Sequence, residues 1–394
     1  MDLRFTPAQE EFRQQVRQWL AQHPPPECPP ELPLAEEVER LRAWQRELHR
    51  GGWVGVHWPR AYGGRGASLA EHYILQEELA RARSPELIGR IGVNLVGPTL
   101  IAHGTEEQKR RYLPAILSAE EIWCQLFSEP GAGSDLASLR CRAEPRGDGF
   151  LVNGEKVWTS YAQFARWGIL LARTGSGPKK TDGISFLVVD MQSSGITVRP
   201  LKQLTGSEEF NQVHFENVWV PRTHLVGAEG AGWRIAQTTL SHERGTSPRQ
   251  LVIHRILLRE MLESVRTPVW GERSLRLRQD PLVRQELAQA WIEVELFRLW
   301  NWRVLTRLQR GESLGAEASA VKLFWSEMSQ RMHDTAMHLL GPEAALLHDA
   351  RACVGGRWNR SYLYYRAATI FAGTSEIQRN ILAQRVLGLP RGSD

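Results

Sequence analysis

The stretch Trp123-Cys-Gln-Leu-Phe-Ser-Glu-Pro-Gly-Ala-Gly-Ser-Asp135 lies where helical sequence gives way to strand-like sequence, and its reading decides the fold. Gly131 and Gly133 let backbone N–H groups come close to a ligand, although a glycine pair on its own is most often a plain turn. The dinucleotide fingerprint G-x-G-x-x-G fails here, because Leu136 occupies its last position and Pro130 precedes the glycines in place of a strand. A nicotinamide-type Rossmann reading is therefore poor. A second stretch, Ile370-Phe-Ala-Gly-Thr-Ser-Glu-Ile-Gln-Arg379, places a tight Gly373-Thr374 turn before a helix N-terminus, a natural position for a phosphate or a ring carbonyl. Ser375 and Gln378 have the spacing of a capping box for that helix.

Outward from the first stretch, residues 1 to about 120 carry helical signals. Thr6-Pro7-Ala8-Gln9 combines an N-cap hydroxyl, a first-turn proline and a glutamine three residues after the cap. Thr105-Glu-Glu-Gln108 repeats the box for a helix ending near Ser118, and the Pro24 to Pro30 segment cannot continue a helix. From about 121 to 230 the sequence changes to short β-branched and aromatic runs, Phe150–Val152, Ile184–Val189, Val213–Phe215 and Val218–Val220. Asn153-Gly154 predicts a hairpin turn, and Gly175 to Gly183 a polar loop between strands. Helical character returns at Gly232. A long run from Pro281 to Arg310 has apolar residues on more than one face, the pattern of a helix buried among others. The expected fold is mainly α with a central β domain, divided as 1–120, 121–231 and 232–394.

The 394 residues exceed one ordinary hydrophobic core. A formal charge of +5 is mild, with 43 arginines against six lysines, so a solvated Arg-biased surface is expected before nucleic-acid binding. Four cysteines without a C-x-x-C pair give neither a disulfide framework nor a metal site. No run of about 18 apolar residues suggests a membrane span, and no signal-peptide pattern is visible. A soluble cytoplasmic protein is expected.

The two quoted stretches together resemble the flavin- and CoA-contacting motifs of acyl-CoA dehydrogenases. Phe5-Thr-Pro-Ala-Gln9, Trp58-Pro-Arg-Ala-Tyr-Gly-Gly64 and Arg385-Val-Leu-Gly-Leu-Pro390 extend the resemblance along nearly the whole chain. It implies a helical N-terminal domain, a middle β-barrel-like domain and a C-terminal four-helix bundle, with FAD held between the latter two. It also implies that Ser128 faces the flavin, that Gln125 and Phe127 lie beside it, that Gly133 belongs to the same motif, and that Ser134 touches the CoA arm. Trp158-Thr159-Ser160 resembles the second flavin-contacting strand, with Trp158 over the ring and Ser160 near its N5. Gly373 and Thr374 would meet the cofactor. Glu376 either reaches the adenosine side of FAD or serves the helix dipole.

The implied reaction is α,β-dehydrogenation of an acyl-CoA thioester, in which a base takes the Cα proton and hydride leaves Cβ for the flavin. Many members carry the base where this chain has Ala372, which can offer its backbone N–H to the thioester oxygen and nothing more. In members for branched or long substrates the base sits on the first long helix after the β domain, immediately before an arginine. The matching stretch, Gly232 to Gly245, places Glu243 there with Arg244 beside it. Leu251, Val252, Ile253 and Ile256 beyond it either line an acyl pocket or pack the bundle.

Two stretches depart from the family pattern. Trp270 to Arg278 offers arginines without the usual Phe-Gly, and Gly341-Pro342 replaces a Gly-Gly turn. Similar departures occur in relatives for bulky esters such as steroid side chains, some built from unlike subunits. The expected protein is a homotetramer, or a heterotetramer, that passes electrons to an electron-transfer flavoprotein. A base-deficient partner subunit and a flavin oxidase or monooxygenase are the alternatives.

Overall fold

The computed structural model describes the chain except residues 1–2, 30, 243–246, 268–269, 271, 313–314, 348–352 and 391–394. Five helices come first. α1 (Pro7–Gln22) starts at the expected box: Thr6 N–H donates to Gln9 Oε1 at 2.9 Å and Gln9 N–H to Thr6 Oγ1 at 3.3 Å. After the proline connector, α2 (Leu34–Arg50) buries Val38, Leu41, Trp44, Gln45 and Leu48, a three-and-four spacing that forms one stripe. α3 (Leu69–Arg81) and α4 (Gly97–His103) precede α5 (Glu106–Ser118), where Thr105 and Gln108 close the second capping box.

Seven strands follow: β1 (Trp123–Leu126), β2 (Arg142–Arg146), β3 (Gly149–Ser160), β4 (Trp167–Arg173), β5 (Ile184–Asp190), β6 (Ile196–Leu201) and β7 (Phe210–Pro221). They form one sheet in the order β1-β4-β2-β3-β7-β6, with β5 paired to β4. β1 runs parallel to β4, whereas β2/β3, β3/β7, β4/β5 and β6/β7 are antiparallel. β4 and β5 are buried at nearly every position, which explains why they read as unbroken apolar runs rather than alternating ones.

The Asn153-Gly154 hairpin does not form. The turn between β2 and β3 lies at Gly147-Asp148, and Asn153-Gly154 is a register shift inside the single strand β3. Gly154 has φ +146°, and a Cβ there would lie 2.7 Å from the Cys141 backbone. Asn153 is engaged across the strands: its Oδ1 accepts from Asn217 N–H at 2.8 Å. Asn-Gly thus lies opposite a bulge rather than at a reversal: from Val152 to Gly154 β3 advances two residues while β7 advances three, from Val218 to Phe215, and the extra residue is on β7, where Asn217 has φ +51°.

Seven helices close the described chain: α6 (Gly232–His242), α7 (Pro248–Arg266), α8 (Glu272–Gln279), α9 (Pro281–Gln309), α10 (Ala318–Leu340), α11 (Arg357–Tyr365) and α12 (Ser375–Arg385). Spatial proximity gathers the chain into two compact units. The sheet unit comprises 19–68 and 84–243, so α2, α4, α5 and α6 belong with the strands. Its core joins Leu126, Phe150, Leu170, Leu187, Val213 and Val220 to Val38, Leu41 and Ile88.

The bundle unit comprises 1–18, 69–83 and 244–394. Here α7, α9, α10 and α11 surround Leu251, Met261, Phe297, Met328, Leu339 and Trp358. The head of α1 joins α3 through Arg13–Glu77 at 3.0 Å and Arg17–Glu78 at 2.8 Å. Along α9, Leu287, Val294, Phe297 and Leu305 are buried, whereas Trp291, Ile292 and Leu296 form an exposed apolar strip. No described helix is long and apolar enough to cross a membrane.

Candidate active site

In the sheet unit the exit of β1 is fixed from beneath by one lysine. Lys156 of β3 is fully buried, and its Nζ donates to the Phe127 carbonyl at 3.0 Å and to Glu129 Oε1 at 2.8 Å. Glu129 also accepts from the N–H groups of Arg140 at 2.6 Å and Cys141 at 2.9 Å. A buried ion pair is tolerable only with its hydrogen bonds satisfied, and this one has them. The Phe127-Ser128-Glu129 segment is thereby held in one course.

The same strand then bulges. Lys156 pairs with Val213 and Thr159 with Asn211, so β3 advances three residues while β7 advances two. The extra residue puts Trp158 at φ +60°, and the Val157 N–H, released from the ladder, donates to the Ser128 carbonyl at 2.9 Å. Trp158 consequently stands out 61 % exposed, with Phe210 edge-on at 6.3 Å. Ser160 and Ser128 are half-buried, as is Gln125, while Phe127 is buried edge-on to Phe186 at 5.9 Å. Thr159 turns inward. Its side chain is fully buried, its hydroxyl has no hydrogen-bond partner among the described residues, and its carbonyl accepts from Asn211 Nδ2 at 3.0 Å.

Gly133 and Ser134 lie on the exposed turn beyond Pro130, and the space where a Gly131 or Gly133 side chain would stand is open for 4 Å. Of the expected contacts in this unit, Ser128 and Trp158 are tied together through Val157, with Gln125 and Phe127 on the same strand exit. α6 is pinned by hydroxyls: His103 Nε2 meets Thr238 Oγ1 and Thr99 Oγ1 meets Thr239 Oγ1, both at 2.9 Å. In sequence α6 leads into Glu243 and Arg244, which lie outside the described residues.

In the bundle unit the second motif forms a turn with Ala372 at φ +51° and Gly373 at φ +85°. The cap of α12 is Thr374, whose hydroxyl accepts from Ile377 N–H at 3.2 Å, and not Ser375, which is the first helical residue. Gln378 reaches back instead: its Nε2 donates to the Ala372 carbonyl at 3.0 Å and the Gly373 carbonyl at 3.3 Å. Lys322 of α10 donates from Nζ to the Gly373 carbonyl at 2.6 Å. In a trans peptide the N–H points opposite its carbonyl, so drawing these two carbonyls inward turns the Gly373 and Thr374 N–H groups the other way. No described residue accepts from the N–H of Ala372, Gly373 or Thr374.

Two charges flank this turn. Burial lowers the Lys322 ammonium to about 8, against the opposing pull of Glu376 and Glu327. Glu376 is exposed, and hydrogen bonds from its own backbone N–H and the Thr374 hydroxyl hold its carboxyl below the usual range. It sits where a first-turn carboxylate complements a helix N-terminus. In the departing segment Arg273 is engaged within the bundle, donating from Nη2 to the Leu339 carbonyl at 2.6 Å and pairing with Glu343.

Lys156, Glu129 and Lys322 did not stand out in the sequence as shaping these turns, and Gln378 did so only as a capping-box partner of Ser375. One signal was available: with 43 arginines and six lysines, a retained lysine marks a place for a compact ammonium rather than a planar guanidinium.

Three family profiles match the chain: acyl-CoA dehydrogenase N-terminal domain over 6–120, middle domain over 124–218 and C-terminal domain over 230–387. The acyl-CoA dehydrogenase IpdE1 of Mycobacterium tuberculosis H37Rv is 40 % identical over 389 residues, covering 97 % of this chain and 98 % of that one. A solved structure described as the Tcur3481-Tcur3483 steroid ACAD superposes with a TM-score of 0.85 at 32 % identity, over 100 % of both chains. The ChsE4-ChsE5 complex from Mycobacterium tuberculosis gives a TM-score of 0.85 at 34 % identity, also over 100 % of both chains.

Proposed function

The chain belongs to the acyl-CoA dehydrogenase family, and from that premise we propose that it oxidises a bulky, ring-bearing acyl-CoA thioester to its 2-enoyl form using FAD. The observation that carries the flavin reading is Trp158, raised on a bulge beside the fixed Ser128 segment. The residues present fit the group. A 61 % exposed indole offers a flat apolar face, the Gly131-Ala-Gly133 turn leaves open space for a close approach, and the 372–374 turn presents unengaged N–H donors.

FAD supplies the acceptor for the hydride leaving Cβ. Trp158 shields the reacting bond from water, and Ser128 and Ser160 offer hydroxyls on the cofactor side. The Ala372 N–H polarises the thioester carbonyl, where negative charge develops as the Cα proton leaves. The carboxylate role falls to Glu243, since position 372 carries none, and Arg244 opposes the rise in its pKa that an apolar site brings. Gln125, Phe127, Gly133, Thr159, Gly373, Thr374 and Glu376 complete the cofactor side, and Ser134 meets the CoA arm. The division 1–120, 121–231 and 232–394 belongs to this reading, as does an electron-transfer flavoprotein as acceptor.

A ring-bearing substrate is supported by a relative described as a steroid ACAD. A partner of unlike sequence is supported by the same structure and by the ChsE4-ChsE5 complex, each named for two components. The exposed strip Trp291, Ile292 and Leu296 on α9 offers apolar surface for an oligomer. Anaerobic titration with straight-chain, branched and steroid-ring CoA esters, following loss of flavin absorbance, tests the proposal. Bleaching is expected with the ring-bearing esters. A flavin-loaded protein, alone or with its partner, that no CoA ester bleaches would sink it.

A further inference from the structure

Lys322 stands apart from the other charged groups of the bundle. Among the described residues no carboxylate lies within ion-pair distance of it, and its one hydrogen bond goes to a backbone carbonyl, that of Gly373. Carboxylates approach from two elements, Glu327 on its own helix and Glu376 on α12, and Arg379 of α12 already binds Glu327. The remaining charges along α10 are paired further on, Arg331 with Glu293 of α9 and Asp334 with Arg366. An ammonium half-buried without a direct counter-ion is costly, so its placement calls for a reason beyond stability.

We propose that Lys322 is the positioning residue of the cofactor-facing turn: it holds the Gly373 carbonyl inward, aims the Thr374 N–H outward, and strengthens that donor toward an electron-rich group of the bound flavin nucleotide. The carbonyl and N–H belong to one peptide, so a charge on the oxygen polarises the whole unit and makes its N–H a better donor. Gln378 acts on the neighbouring peptide in the same sense without charge. Ala372 and Gly373 both have positive φ, so the turn depends on such external ties to keep its shape. A neutral amine can still donate to the carbonyl, but without charge assistance. The ammonium titrates near pH 8, so the hold on the cofactor weakens as pH rises through that value.

The flavin half of this inference rests on the function proposed above, and two measurements on the full chain separate them. Without FAD, hydrogen exchange of the Ile377 and Gln378 amides, which donate to the Thr374 hydroxyl and carbonyl, reads the turn alone once corrected for intrinsic rate. Lys322→Met is expected to raise it roughly tenfold, and Lys322→Gln, which keeps an N–H donor, to restore much of the protection. With FAD, fluorescence titration from pH 7 to 9 should show wild-type affinity falling roughly three- to tenfold, while both variants bind more weakly at pH 7 and show a flat profile. Wild-type exchange in Lys322→Met overturns the positioning role. A variant profile that still falls through pH 8 overturns the charge role. Should the wild-type chain bind no FAD, the flavin half fails, and exchange still decides whether Lys322 holds the turn.

Discussion

Two loops, one in each unit, are each shaped by a lysine on a backbone carbonyl, and their settings are opposite. Lys156 is wholly buried and meets Glu129, which is itself saturated by two backbone N–H groups. Lys322 is half-buried, meets only Gly373 among the described residues and loses its proton easily. The first arrangement is part of how the sheet unit folds, because neither ion could remain inside without the other. The second belongs to a turn on the edge of the bundle, where the charge acts on its surroundings. Loops alike in composition thus differ in whether their shape is fixed or adjustable.

In the proposed reaction the proton goes to Glu243 and to neither lysine, and the largest expected effect tests that. Glu243→Gln keeps size and hydrogen bonding while removing basicity, so both loops and FAD binding should survive while flavin reduction slows roughly 10²- to 10⁴-fold. Near-wild-type stopped-flow reduction would rule out the assignment of the base.

Removing each lysine in turn sharpens the contrast. Lys156→Met strands Glu129 as an uncompensated buried charge and should cost about 3–5 kcal/mol in urea denaturation. Lys322→Met should cost about 1 kcal/mol or less, because the lost hydrogen bond is offset by relief of desolvation. Adding Glu129→Gln to Lys156→Met should recover part of the loss. Equal costs for the two lysines would erase the distinction between fixed and adjustable loops.

The bundle holds a third kind of buried basic group. His254 and His333 lie at most 1 % exposed among Ser329, Tyr365 and Gln250. His254 Nδ1 donates to the Gln250 carbonyl at 2.7 Å, and its Nε2 lies 2.8 Å from Ser329 Oγ, whose hydroxyl donates to it when the ring is neutral. Burial lowers His254 to about 4 and His333 to about 3. The unfolded chain takes up these protons near 6.5 and the folded chain only near 4 and 3, so stability should fall as pH drops below about 6.5. Denaturation midpoints between pH 7 and 4.5 should fall less steeply in His333→Asn than in wild type. Parallel profiles would show that other groups govern acid sensitivity.

The smallest effect concerns the cap. Thr374→Ala should lower stability by about 1 kcal/mol, whereas Ser375→Ala, at the position sequence spacing favours, should change it less. Reversed costs in thermal melts would return the cap to Ser375.

Much of this was legible locally. The boxes at Thr6 and Thr105 formed as spaced, because a cap is settled by side chains three residues apart. The apolar runs at 184–189 and 281–310 became β5 and α9 for the same reason of short range. At Asn153-Gly154 and Ser375 local pattern misled. Asn-Gly suits a reversal, but the pairing of β3 with β7 keeps it inside the strand, opposite the bulge at Asn217. The serine lost the cap to Thr374 because Gln378 bends back to the turn carbonyls rather than to its own helix start.

By itself the sequence determined the order of helices and strands, the motif stretches at 123–135 and 370–379, the absence of a carboxylate at position 372 and the family the chain belongs to. These are properties of residue type and short spacing. Only the tertiary structure decided which carbonyl each rare lysine holds, since Lys156 reaches back 29 positions to Phe127 and Lys322 forward 51 to Gly373. A charge chooses its partner by distance and burial, and both exist only once strands have paired and helices have packed.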